Sequence, residues 1–205
     1  MGRFIAFEGG EATGKSTQAA RLAADLGAVL TREPGGTELG EHIRRLVLGP
    51  SGAEGVGIRA EALLLAADRA QHVASVIRPA LTDGRHVVSD RYAGSTLAYQ
   101  GYGRGLDVAD LRRLSDWASD GLWPDLVILL DVPAPVAGAR LLASGLGPDR
   151  LEAAGDEFHR RVSEGFRALA AACPETWRVV DGEGGVDEVW ERVGRVVREF
   201  FAPLP

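Results

Sequence analysis

The chain has 205 residues, 45% of them hydrophobic and 25% charged, which suits one soluble globular domain (1–205) with a sizeable core. Its formal charge of −6 excludes broad electrostatic attraction to nucleic acid or to an anionic membrane, so any anion it binds must be gripped locally. Cys173 is the single cysteine; an intrachain disulfide is ruled out, and a reducing cytoplasm is the expected setting.

In chain order, "RFIAF" (3–7) is the first strand, and because "MGRFIAFEGG" runs straight into it the N-terminus does not read as a signal peptide. A helix follows at about 15–26, a strand in "AVLT" (28–31), and helices at 37–48 and 59–83. "HVVS" (86–89) is the third strand, followed by a helix at 108–121; "LVILLD" (126–131) is the fourth, followed by helices at 134–144 and 157–172. "RVV" (178–180) and a helix at 186–201 complete the pattern. Several strands lack polar alternation, as expected when both faces are covered. The alternation of strand and helix predicts an α/β fold of about five parallel strands with helices on both faces. No apolar run is long enough to span a bilayer.

In such folds ligands sit beyond the carboxyl ends of the strands. Those ends carry Glu8, Glu11 and Lys15, then Arg32–Gly36, then Asp90–Arg91, and finally Asp181–Gly182. "GGEATGKS" (9–16) fits G-x-x-x-x-G-K-S between a strand and a helix, the pattern of a phosphate-binding P-loop. Glycines let successive N–H groups of Gly9, Gly10, Glu11, Ala12, Thr13 and Gly14 turn inward, and the helix N-terminus adds partial positive charge. Lys15 is expected to reach the β- and γ-phosphates of a bound nucleotide, which Thr17 also borders, and the Ser16 hydroxyl to ligate Mg²⁺. Lys15 is the only lysine among 23 basic Lys and Arg side chains. A chain that uses Arg wherever Arg will do has kept the compact ammonium where a planar fork would not fit. The guanine-reading N-K-x-D motif of switch GTPases is excluded, because there is no Asn and no second Lys.

"FEGGEATGKST" (7–17), "TREPGGT" (31–37), "EALLLAADRAQH" (61–72), "SDRYAGSTLAYQGYGRG" (89–105), "WPDLVILLDV" (123–132) and "DRLE" (149–152), in this order, resemble the thymidylate kinase family over essentially the whole chain. The resemblance implies a P-loop nucleoside monophosphate kinase fold, ATP and dTMP as substrates, Mg²⁺ carried with ATP, and a homodimer through helices that include 59–83. It implies that Arg91, after the strand-end carboxylate Asp90, contacts both the acceptor phosphate and the transferring group, and that Glu11 faces the acceptor sugar and the metal region. By the same resemblance Arg44 is expected to hold the acceptor phosphate, Arg69 to donate to the thymine O4, and Thr96 and Gln100 to address N3–H. Tyr99 is expected to press under the deoxyribose, and Asp181, at the last strand end, to lie on the ATP side. Where the family commonly has a stacking Phe, this chain has Leu65, which leaves a kinase for another nucleoside monophosphate as an alternative.

The Gly/Pro-punctuated stretch 139–162 resembles the family's lid, centred on about 140–156. Members of that family place a catalytic arginine either in the P-loop or in the lid; with Ala12 and Thr13 in the P-loop here, the resemblance implies one from the lid, Arg150 first and Arg140 second. Ser144 sits where another Arg is expected, so a nucleotide-binding regulator without turnover is a further alternative. Glu157, Arg160 and Arg161 read as a solvated helix face, and His42, His72, His86 and His159 show no metal spacing.

Overall fold

The computed structural model describes residues 2–49, 55–143, 151 and 154–202. Five strands, β1 (Phe4–Glu8), β2 (Val29–Arg32), β3 (Val87–Asp90), β4 (Leu126–Asp131) and β5 (Trp177–Asp181), form one sheet in the order β2-β3-β1-β4-β5. Every pairing is parallel, as the unalternated apolar strands predict. All five residues of β1 are buried, and the pleat sends Ile5 and Phe7 to one face and Phe4 and Ala6 to the other. The first pair packs with Leu22 of α1 (Lys15–Leu26) and Val193 of α9 (Val186–Phe201). The second packs with Val73, Ile77 and Tyr92. A third cluster joins Tyr99 and Leu129 to Phe158 and Phe166 of α8 (Asp156–Ala172).

The first three strands begin and end one residue later than expected. Their polar last residues, Glu8, Arg32 and Asp90, are held in the ladder, with Glu8 opposite Leu129 and Arg32 opposite Asp90. The functional carboxylates are therefore fixed by the sheet rather than carried on loops. The second helix, α2 (Glu38–Leu48), starts after Thr37, whose hydroxyl caps it by accepting from Gly40 N.

The helix expected over 59–83 is instead interrupted. It comprises α3 (Ile58–His72), a π-helical stretch at Val73–Ile77, and α4 (Arg78–Thr82). Pro79 can donate no backbone hydrogen bond, and the widened turn absorbs the mismatch just before it. A second departure is that 93–103 is helical: α5 (Ala93–Thr96) runs into a π-helical stretch, Leu97–Gly103. Its glycines permit close packing rather than a turn, since a Cβ on Gly103 would come within 2.5 Å of Phe158. The remaining helices are α6 (Val108–Ser119) and α7 (Ala134–Ala143).

Candidate functional site

The segment after β1 folds into the predicted cradle. Gly14, at φ 91, turns the chain into α1 through a conformation that L side chains rarely adopt. Gly9 passes so close to β4 that an added Cβ would lie 2.6 Å from the Leu130 carbonyl oxygen. Lys15 is buried, its ammonium donating to the Gly10 carbonyl and to Thr13 Oγ1. Burial lowers its pKa to about 8, with Arg91 pushing the same way, while Glu11, Asp90 and Glu8 oppose the shift. Ser16 and Thr17 lie on the exposed first turn of α1. The Ser16 hydroxyl donates to Asp90 Oδ2, and Asp90 Oδ1 is buried with no hydrogen-bond partner among the described residues. A hydroxyl beside a carboxylate with an open oxygen is a hard donor set that fits Mg²⁺.

Arg91 occupies the gap between this cradle and a second hollow. It sits at φ 71, a strained conformation for a non-glycine residue. Its N–H donates to the Phe7 carbonyl, and its own carbonyl accepts from Ser89 Oγ. The guanidinium Nη1 donates to Gly9 O (2.9 Å) and Ser95 Oγ (3.0 Å), and Nη2 to Glu11 (2.6 Å) and Tyr99 Oη (3.2 Å). Burial works against its charge, but Glu11, Asp90 and Glu8 outweigh that effect and hold it protonated. In return, although burial favours the neutral acid, Arg91, Lys15 and the Tyr99 hydroxyl depress Glu11 to about 2.

The second hollow is a cleft that opens beside Arg91. Glu11, Arg91 and Tyr99 form the end nearest the P-loop, and Arg44, Leu65, Arg69, Thr96 and Gln100 line the remainder. All eight residues expected to hold the acceptor thus face one cavity. Arg44 Nη1 donates to Pro34 O (2.9 Å). Arg69 is gripped by two partners that the sequence did not single out, Glu33, which accepts from its Nε at 2.9 Å, and Ser115, which accepts from Nη1; the expected Thr96 accepts from Nη2. Glu33 also meets His72 Nδ1 at 2.9 Å.

Other expected residues lie elsewhere. Arg140 Nη2 donates to the carbonyls of Gly182 and Gly184, tying α7 to the turn after β5. Asp181 is exposed and caps that turn by accepting from Glu183 N; a Cβ on the neighbouring Gly182 would lie 3.6 Å from Thr13 O, so the turn borders the P-loop. Arg150 and Ser144 lie outside the described residues, as does most of the lid. Arg160 and Arg161 both pair with Glu157 on the solvent face, and Arg161 in addition donates to the Gly103 carbonyl, tying α8 to the 97–103 stretch.

Glu8, at the end of β1, accepts hydrogen bonds from Tyr92 N, Ser95 N and Ser95 Oγ, yet burial raises its pKa to about 7. Between about pH 4.5 and 7 the unfolded chain gives up this proton while the folded chain keeps it. Stability therefore falls as pH rises through that window, by on the order of 3 kcal/mol. Urea denaturation at pH 5 and pH 7 should show Glu8→Gln losing this part of the slope. Parallel slopes in the two proteins would show that Glu8 ionises normally.

A family model described as Thymidylate kinase matches residues 7–193. The chain is 52% identical over 193 residues to the thymidylate kinase of Leifsonia xyli subsp. xyli, covering 92% of this chain and 90% of that protein. It is 47% identical over 206 residues to that of Bifidobacterium longum (strain NCC 2705), covering 97% and 98%. The crystal structure of thymidylate kinase from Ehrlichia chaffeensis aligns with a TM-score of 0.76 at 32% identity, over 96% of this chain and 98% of that one.

Proposed function

The chain belongs to the thymidylate kinase family, and from that premise we propose that the P-loop holds ATP, the adjoining cleft holds dTMP, and the γ-phosphoryl group passes in line between them to give dTDP. The enzyme is an ATP-dependent phosphotransferase of nucleotide biosynthesis. The observation that carries the assignment of sites is Arg91, whose one guanidinium reaches Gly9 and Glu11 of the cradle and Ser95 and Tyr99 of the cleft. A single phosphorus atom can pass across a gap that one side chain spans.

The acceptor phosphate oxygen is anionic near neutral pH, so no covalent intermediate and no general base are needed. The protein's task is to position the reactants and to neutralise the charge that accumulates. Lys15 meets the transferring phosphates, Arg44 holds the acceptor phosphate, and Arg91 contacts both. Mg²⁺ bound with the donor phosphates supplies further neutralisation there, and Ser16 with Asp90 are the residues that would hold it. Arg140, with Nη2 committed to the turn after β5, positions that turn, which leaves Arg150 as the lid's clamp on the transition state. We place the reaction in the cytoplasm. No helix among the described residues is long and apolar enough to cross a membrane.

A homodimer fits the surface of three helices that pack in sequence, α2 on α3 and α3 on α6. They expose Leu46 (59%), Leu63 (59%) and Trp117 (82%), large apolar side chains that a second copy would cover.

A coupled ADP-release assay across dTMP, dUMP, dCMP, AMP and GMP tests the acceptor, and the highest kcat/KM is expected with dTMP. A better rate on any other acceptor overturns the assignment. The Tyr99 ring is buried against the cleft with its hydroxyl donating to Glu11 at 2.6 Å, which leaves little room beside the sugar. Tyr99→Ala should improve use of the ribonucleotide relative to dTMP about tenfold, and Tyr99→Phe should do so by less. An unchanged deoxy-to-ribo ratio in both variants would remove Tyr99 from that role.

A further inference from the structure

Gln100 lies on the π-helical 97–103 stretch and is 1% exposed. Its amide nitrogen donates to Glu61 Oε1 at 2.7 Å. Its amide oxygen is buried with no hydrogen-bond partner among the described residues, although the residue lines the acceptor cleft. Glu61 itself, in the first turn of α3, is 0% exposed. Arg104 Nη2 stands 3.5 Å from Glu61 Oε2 and compensates the charge; its guanidinium lies over the Phe158 ring, 4.7 Å from the centroid.

A carboxylate can only accept hydrogen bonds. Turning the Gln100 amide over would set two acceptor oxygens 2.7 Å apart in a buried site, a repulsive contact that replaces a hydrogen bond. Glu61 therefore holds the nitrogen on its own side, and the only amide atom Gln100 can offer the cleft is an acceptor. On the adjoining wall, Thr96 Oγ1 accepts from Arg69 at 3.0 Å, which leaves the hydroxyl hydrogen free to point elsewhere. The polar edge of the cleft thus presents a fixed donor from Arg69 and a fixed acceptor from Gln100, with the Thr96 hydroxyl, able to serve as either, between them.

We propose that Glu61, which need not touch the substrate, is a positioning residue that selects 4-oxo pyrimidines over 4-amino pyrimidines by locking the Gln100 amide. This rests on the reading of the cleft as the nucleobase pocket. Thymine and uracil carry an acceptor at O4 and a donor at N3, which match that edge. Cytosine carries a donor at N4 and an acceptor at N3, and both mismatch. Selection by this polar edge is independent of Leu65, which covers a ring face and meets both kinds of base alike.

Steady-state kinetics with dTMP, dUMP and dCMP on the full chain and on Glu61→Gln test this. The wild type should favour dTMP over dCMP by at least about a hundredfold in kcat/KM. In Glu61→Gln either end of the new amide can face Gln100, so both amides can turn together. The dTMP-to-dCMP ratio should fall about tenfold or more, through a raised KM for dTMP and a lowered KM for dCMP, with kcat for dTMP little changed. The dTMP-to-dUMP ratio should stay within about twofold, because both bases present the same edge. Glu61→Asp keeps a group that only accepts and should stay nearer the wild type than Glu61→Gln. If Glu61→Gln fails to fold, Glu61→Leu combined with Arg104→Leu removes the ion pair as a unit, an exchange that buried pairs often tolerate, and should show the same loss of selection. A folded variant with an unchanged dTMP-to-dCMP ratio overturns the role of Glu61 while leaving the pocket assignment intact, as does an Asp variant as permissive as the Gln variant. A wild type that uses dCMP as well as dTMP overturns the pocket assignment itself.

Discussion

Lys15→Ala should yield a folded protein whose kcat for dTMP phosphorylation has fallen by about a thousandfold or more, with a much smaller change in the KM for dTMP. Removing one preorganised charge aimed at a transition state costs about 10²–10³ in rate, and Lys15 is the only side-chain cation the P-loop itself contains. The ammonium already bonds the Gly10 carbonyl and Thr13 Oγ1, so it is held at the cradle before any phosphate arrives. Stability should move the other way. A lysine of pKa about 8 in the folded chain, against its ordinary 10.4 or so when unfolded, burdens the folded state at every pH below about 8. The alanine variant should therefore melt no lower than the parent near pH 7, and up to a few kcal/mol of burial cost is relieved. Lys15→Arg should not restore turnover, because a planar fork does not fit where the compact ammonium sits. Single-turnover kinetics beside thermal melts by circular dichroism separate the two effects. Preserved turnover in Lys15→Ala would remove the P-loop from the chemistry.

The P-loop was legible because it is local: "GGEATGKS" closes its cradle with neighbours in sequence, and the strand before it and the helix after it follow from periodicity. The strand-end residues were legible for the same reason, within one position. The supports of the cleft were not. Glu33 and Ser115 lie tens of residues from the Arg69 they hold and meet it only when α3, the 93–103 helical stretch and α6 pack beside the sheet. Glu61 and His72, both 0% exposed, would ordinarily be assigned to a solvated helix face. A signal was nevertheless present. Glu61, Leu65, Asp68, Arg69 and His72 recur at spacings of three and four, so the polar residues of α3 share a helical stripe with Ala62 and Ala66, which are also buried. A polar stripe on the buried side of a helix marks a hydrogen-bonded network rather than solvent exposure. The glycines of "AGSTLAYQGYG" follow the same logic: at Gly103 and Gly94 the missing Cβ makes room for Phe158 and Glu8.

Arg91→Ala should lower kcat by about a thousandfold and, unlike Lys15→Ala, should also raise the KM values for both ATP and dTMP. The four contacts of its guanidinium divide between the two hollows, so its loss unfastens Glu11 and Tyr99 together and removes charge from the point where the two phosphates meet. Arg91→Lys should recover less than about a tenth of the lost rate, because one ammonium cannot bond Gly9, Ser95, Glu11 and Tyr99 at once. Acid stability provides a second readout. Glu11, held at about 2 against an ordinary value near 4.3, stabilises the fold above its unfolded pKa, and that contribution is lost as pH falls toward 2. Without Arg91 most of the opposing charge is gone, so Arg91→Ala should lose stability relative to the parent at pH 6 and converge with it near pH 2. A KM effect confined to dTMP would show that Arg91 serves the acceptor cleft alone, and the bridge between the two hollows would then have to come from another side chain.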